Sequence, residues 1–149
     1  MLRIYLDNCC YNRPFDPPSN PTTVFESSSK MLIQTLIVNN QVVLVNSFVI
    51  YEEVSVIINR EKRDLIISFL DNAKIYVAQD RLDEVLRLAT EIMKTGIKYM
   101  DAAHTACAII AGCDYLITTD KRLLKYKSDK ISVINPVDFI RIWEDRDDV

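Results

Sequence analysis

Five short apolar runs alternate along this chain with stretches of helical periodicity, and that alternation restricts the fold more than any other feature. The runs lie at residues 2–6, 42–45, 74–77, 114–119 and 131–134. Val42-Val43-Leu44-Val45 has no polar face, as a strand buried on both sides requires. Between the runs, Asn20 stands where an N-cap belongs, with Pro21 at the first helical position. That helix runs through Met31, Leu32, Thr35 and Leu36 toward Asn39 and Asn40. Ser47 suits the cap of a helix carrying Val49, Ile50, Glu53, Val54 and Ile57. The charged stretch Arg60–Asp64 is expected to break it from a further helix with Leu65, Ile66, Phe69 and Leu70. Asp80 is placed to cap a helix whose Leu82, Val85, Leu86, Ala89, Ile92 and Met93 form one apolar stripe. Gly96 ends it as a C′ glycine does. Asp101–Ala111 is alanine-rich and helical, Asp120–Tyr126 reads as a short helix, and Pro136 starts a last helix through Phe139, Ile140 and Trp143. The acidic tail, 144–149, is expected to fray. Such alternation predicts an α/β three-layer sandwich around a central, mostly parallel sheet.

The 149 residues suit one domain, and 49% hydrophobic composition is enough for one sizeable core. With 26% charged residues and a net charge of −3, the chain is neither disordered nor strongly basic. The four cysteines, Cys9, Cys10, Cys107 and Cys113, form no C-x-x-C pair, and His104 is the sole histidine. This argues against a Cys/His zinc site and for free thiols in a reducing cytoplasm. Arg3 and Asp7 interrupt the first apolar stretch, unlike a signal peptide, and no run is long enough to span a bilayer. Only two glycines, Gly96 and Gly112, are present, too few for a glycine-rich phosphate loop.

Four acids stand where the chain switches elements. Asp7 closes the first run, Glu53 lies on the helix after Ser47, Asp101 opens the alanine-rich helix, and Asp120 closes Tyr115–Thr119. Right-handed crossovers gather parallel strand ends on one edge, where α/β proteins bind ligands. Each acid also has an ordinary structural role. Asp7 before Asn8 suits an Asx turn, Asp101 and Asp120 suit helix starts, and Glu53 suits a solvated helix face. As a set they are harder to explain. Ala102, Ala103, Ala106, Ala108 and Ala111 allow their helix to press close to the sheet, which holds Asp101 near the edge. Two carboxylates about 4 Å apart repel by about 4 kcal/mol at an effective dielectric of 20. A bound Mg²⁺ or Mn²⁺ removes that penalty, and hard oxygen ligands suit both ions. Such ions, held against a phosphodiester, activate water and stabilise the leaving oxygen. No protein nucleophile is then needed, as befits a chain with one histidine and no Ser-His-Asp set. The same geometry serves a phosphomonoesterase, so the acids alone leave the substrate open.

The stretches Ile4-Tyr5-Leu6-Asp7-Asn8, Ser47 through Glu53, Asp101-Ala102-Ala103-His104-Thr105-Ala106-Cys107-Ala108, Asp114 through Asp120 and Asn135-Pro136-Val137-Asp138-Phe139-Ile140 together resemble a PIN domain. The resemblance covers nearly all of residues 1–149 and rests on order and spacing rather than on one motif. It implies a metal-dependent nuclease acting mostly on RNA, with Asp7, Glu53, Asp101 and Asp120 as catalytic metal ligands for Mg²⁺ or Mn²⁺. It also implies an antitoxin partner, since many small members are toxins held inactive by one, and a homodimer. Successive helix positions point about 100° apart, so only one of Glu52 and Glu53 can face the site. The family's spacing from Ser47 favours Glu53. Asn8, Thr118 and Thr119 are further polar candidates. The loop from Cys9 to Asp16 is longer than in most toxin relatives and is similar to that of a subgroup of stand-alone PIN proteins.

Other residues carry two readings each. His104, one turn after Asp101, is expected to be a packed helix residue rather than a contact of substrate or of a carboxylate. Lys121, Arg122, Lys125 and Lys127 either meet phosphates or form a solvated face. In the proline loop, Arg13 could reach a phosphate backbone, and Tyr11 and Phe15 could stack on bases, though loop aromatics commonly anchor the loop itself. Trp143 is expected to pack on the core. The rival functions are a non-catalytic PIN-like module that binds nucleic acid or protein through the same edge, and a different α/β enzyme. An aspartyl-phosphate phosphatase wants Asp-x-Asp where this chain has Asp7-Asn8-Cys9. A receiver domain wants an additional acidic pair that the chain lacks.

Overall fold

The computed structural model describes residues 1–11 and 20–146. Arg13, Pro14, Phe15, Pro17 and Pro18 of the proline loop, and residues 147–149 of the acidic tail, lie outside them. The strands are β1 (Arg3–Leu6), β2 (Val43–Ser47), β3 (Ile75–Val77), β4 (Tyr115–Ile117) and β5 (Ser132–Ile134). The helices are α1 (Pro21–Val38), α2 (Phe48–Ser55), α3 (Arg60–Leu70), α4 (Leu82–Met93), α5 (Tyr99–Ile110) and α6 (Pro136–Glu144). The sheet order is β3-β2-β1-β4-β5, and every pairing is parallel rather than most of them. In register, Tyr5 of β1 lies beside Val45 of β2 and Leu116 of β4. The chain steps outward from β1 to β3 and then crosses back to β4 on the far side of β1. Right-handed crossovers therefore put the outbound and return helices on opposite faces. The strand order reverses at β1 and β4, so a crevice opens between their C-terminal ends.

Several helix ends follow from single residues. Asn20 accepts the Thr23 N–H at 2.9 Å, and Ser47 accepts the Ile50 N–H at 3.2 Å. Asn135 accepts the Asp138 N–H at 2.8 Å, ahead of Pro136. Gly96 and Gly112 hold φ of +101° and +70° after α4 and α5, a region in which a side chain is strained.

Four expectations need correction. The charged stretch Arg60–Asp64 does not separate two helices. It forms the first turns of α3, because Asn59 caps it by accepting the Lys62 N–H at 3.0 Å. Asp80 does not cap α4. It lies within a 3₁₀ turn, Gln79–Arg81, that feeds straight into the helix. The stretch Asp120–Tyr126 forms only a 3₁₀ turn at Leu123–Lys125. It carries the chain from β4 to its parallel neighbour β5 with no full helix between. In addition, α5 begins at Tyr99, so Asp101 sits inside its first turn rather than opening it.

The core is one contiguous cluster that surrounds the sheet. Ile4, Tyr5, Leu44, Val45 and Leu116 are inaccessible, and Trp143 packs at its margin. Helix α5 lies against α4, and its Ala102, Ala106 and Ala108 are wholly buried. These small side chains set how close α5 comes to the sheet, and hence where Asp101 stands. Ala106→Leu inserts three heavy atoms into a filled space. It should cost about 1–3 kcal/mol and lower Tm by roughly 3–10 °C in a thermal melt. An unchanged Tm would show that α5 has slack against its neighbours.

Candidate metal centre

Asp7 is the first residue past the central strand. Its N–H still reaches the ladder, donating to the Ile117 carbonyl at 2.9 Å, so its side chain emerges in the crevice between β1 and β4. The carboxylate is nearly buried and doubly held. Oδ1 accepts the Asn8 N–H at 2.8 Å, and Oδ2 accepts the Thr118 hydroxyl at 2.7 Å. That hydroxyl in turn accepts the Asp120 N–H at 3.0 Å. One fully buried threonine thus ties the end of β1 to the turn after β4. The Cys9 thiol lies 3.5 Å from Asp7 Oδ2 and takes the Thr119 hydroxyl at 3.2 Å. The neighbouring Cys10 thiol, with help from Thr119, lowers the Cys9 pKa against the opposing effect of burial.

Glu53 approaches the same crevice from α2, whereas Glu52 faces solvent. Glu53 Oε1 lies 3.0 Å from His104 Nε2. The His104 ring is inaccessible, and its Nδ1 meets the Tyr5 hydroxyl at 2.7 Å. That hydroxyl is also 2.7 Å from Ser47 Oγ, the cap of α2. Burial raises the Tyr5 pKa well above its ordinary value, so the phenol keeps its proton. One arrangement uses every donor. Ser47 donates to Tyr5, Tyr5 donates to Nδ1, and the Nε2–H donates to Glu53. His104 is therefore more than a packed helix residue, because it fixes the direction of Glu53. The sequence signal was a tyrosine in the middle of a buried strand, whose hydroxyl needs a partner, in a chain with a single histidine.

Among the described residues, one set of three side chains places potential metal-ligand atoms within 4.8 Å of one another: Asp7, Glu53 and His104. Asp101 and Asp120 stand outside that set but within electrostatic reach. Burial first, then the charges of Asp7 and Asp120, push the Asp101 carboxyl up to about 6, with Glu53 adding and His104 opposing. Asp120 is exposed, and its Oδ1 accepts the Arg122 N–H at 2.8 Å, so it caps the turn after β4. Asp101 and Asp120 share the wall of a cavity of about 350 Å³. Next to Asp7, the buried Asn8 Oδ1 has no hydrogen-bond partner among the described residues. Carboxylate oxygens, an orphaned amide oxygen and a partly buried acid among other acids form a donor set that fits a hard divalent cation.

Without a cation, the raised Asp101 pKa opposes folding. Between pH 4 and pH 6 the folded chain binds more protons than the unfolded one, so stability falls as pH rises through that window. Asp101→Asn should therefore raise the Tm of chelator-treated protein at pH 7 and flatten its Tm profile from about pH 4 to about pH 6. A lower Tm at pH 7 would show that the carboxylate is satisfied without an ion.

A family model described as the PIN domain matches residues 24–128, which include Glu53, Asp101 and Asp120. No curated protein sequence matches the chain significantly. Among solved structures, the chain is similar to one described as VapBC2 from Rickettsia felis bound to a DNA fragment from their promoter. The TM-score is 0.57 at 17% identity, over 90% of this chain and 98% of that one. At that identity the likeness is one of fold.

Proposed function

This chain belongs to the PIN domain family, and we propose that it is a metal-dependent endoribonuclease that hydrolyses phosphodiester bonds with Asp7, Glu53, Asp101 and Asp120 as its metal-binding and catalytic residues. The observation that carries the reading is the convergence of Asp7 and Glu53 at the strand switch point, beside an Asp101 whose carboxyl is pushed up to about 6 by burial first and then by the charges of Asp7 and Asp120. The whole chain is read as one domain, working in a reducing cytoplasm. Its four free cysteines support that compartment, and no helix among the described residues is long and apolar enough to cross a membrane.

Each residue has a definable task. Asn8 N–H holds Oδ1 of the Asp7 carboxylate, and the Thr118 hydroxyl and the Cys9 thiol both donate to Oδ2, leaving a lone pair of Oδ1 for a cation. His104 aims Glu53 and, through Tyr5 and Ser47, locks that aim to the cap of α2. Asp101 is held near the others by a helix that cannot retreat from the sheet. A bound Mg²⁺ or Mn²⁺ supplies an activated water and charge neutralisation at the leaving oxygen. The protein residues would position that ion, whose charge would offset the neighbouring acids that raise the Asp101 pKa.

A protein that holds the nuclease inactive, an antitoxin, belongs to the same reading, as does a homodimer. The family and the neighbouring structure, described as VapBC2, support a partner of this kind.

Purified protein given Mg²⁺ or Mn²⁺ should cleave single-stranded RNA, and EDTA should stop it. Asp101→Asn should lose at least about 100-fold in rate, the scale on which one preorganised charged group contributes. RNA left intact under both ions, or cleavage that survives Asp101→Asn, would contradict the proposal.

A further inference from the structure

The cavity beside Asp101 and Asp120 carries two signs of charge kept apart. Lys98 lines it from the start of α5, and Arg122, Lys125 and Lys127 line it from the turn after β4. Elsewhere, Arg81 pairs with Glu84 at 2.8 Å, Lys94 with Glu91 at 3.1 Å and Arg141 with Asp138 at 3.9 Å. The four cavity cations make no ion pair or side-chain hydrogen bond among the described residues, although two carboxylates share their cavity. Four unpaired cations around one hollow repel one another in a protein whose net charge is −3. An anion seated among them relieves that repulsion. The half-buried ring of Tyr126 completes the wall.

We propose that this cavity is a subsite for one nucleotide of single-stranded RNA, with the base against Tyr126 and the adjoining phosphate among Lys98, Arg122, Lys125 and Lys127. The assignment rests on the nuclease reading, since Asp101 and Asp120 put the cleaved bond at the cavity's acidic end. The volume of about 350 Å³ lies at the small end of ligand sites, which suits one unstacked nucleotide. A base pair held in a duplex cannot enter it. Aromatic stacking with backbone charge contacts is the usual means of gripping single strands irrespective of sequence. The enzyme therefore selects strands whose bases are already free and discriminates weakly between bases. The acidic end admits the strand once a cation is bound, while the basic end holds the strand with or without one.

The test reads binding rather than turnover. A fluorescein-labelled single-stranded oligoribonucleotide is titrated with the full chain in EDTA, by anisotropy, over a salt series. The Lys125→Ala/Lys127→Ala variant changes two exposed side chains, and its fold is checked by its melting curve. It should bind roughly 10–30-fold more weakly at 0.1 M salt, with the slope of log K against log salt reduced by about 1.4. Tyr126→Phe should bind as the wild type does and Tyr126→Leu more weakly. A blunt duplex of equal length should bind the wild type at least tenfold more weakly than the strand. Equal affinity and slope in the lysine variant, equal affinity for duplex and strand, or no binding by the wild type each overturns the subsite. Cleavage assayed in parallel separates the two ideas. Wild-type cleavage with unaltered binding in the lysine variant removes the subsite alone. The predicted binding without cleavage under any divalent ion removes the nuclease reading and leaves a strand-binding site.

Discussion

The architecture of the site depends on one hydroxyl, that of Thr118. It donates to Asp7 and accepts from the Asp120 backbone, and so joins two strand ends that lie 111 positions apart in the chain. A parallel sheet brings those ends to the same edge but leaves their side chains free to splay. Mutual repulsion among the acids favours splaying. A buried hydrogen bond to a carboxylate resists it, because breaking the bond would strand a charged acceptor away from water. Behind it, the buried Ser47–Tyr5–His104 chain does the same for Glu53. Polar groups that the core has already enclosed therefore hold Asp7 and Glu53 at close quarters, where a divalent cation would offset their repulsion.

Charge is sorted over a short distance around this edge. Asp7 and Glu53 meet beside the end of β1, while Asp101 and Asp120 share a cavity with Lys98 from the start of α5 and with Arg122, Lys125 and Lys127 from the turn between β4 and β5. The turn is short because β4 and β5 are adjacent parallel strands linked without a full helix, and Asp120 caps it through the Arg122 N–H. That cap fixes where the following basic residues emerge. One acid therefore serves the local backbone and also lines the cavity, so its structural and chemical roles are compatible.

The helix starts at Asn20-Pro21, Ser47 and Asn135-Pro136 were legible in the sequence because each is a local contest between a side chain and the first backbone N–H groups. The same local logic misled at Arg60–Asp64. A run of charge looked like a break, but the cap at Asn59 outweighed it and solvent received the charged face. Asp80 sits within a 3₁₀ turn that runs into α4, and Asp120 precedes the 3₁₀ turn at Leu123–Lys125, so neither acid caps an α-helix. The four acids could be singled out as candidates because each lies at or near a junction between elements, although Asp101 and Glu53 lie within α5 and α2 rather than at their ends. The strand order, the Thr118 bridge and the role of His104 could not be read, because they depend on which strands become neighbours. His104 had the spacing of an ordinary buried helix residue. Only the meeting of Tyr5 and α5 across the sheet gives its ring two partners.

The most direct test is an anomalous difference map from crystals soaked in Mn²⁺. A peak roughly 2.0–2.6 Å from an Asp7 carboxylate oxygen, with Glu53 or Asp101 among its remaining ligands, is what the account predicts. A map at saturating Mn²⁺ with no density beside Asp7, or with a lysine or arginine side chain closed onto that carboxylate instead, would contradict it.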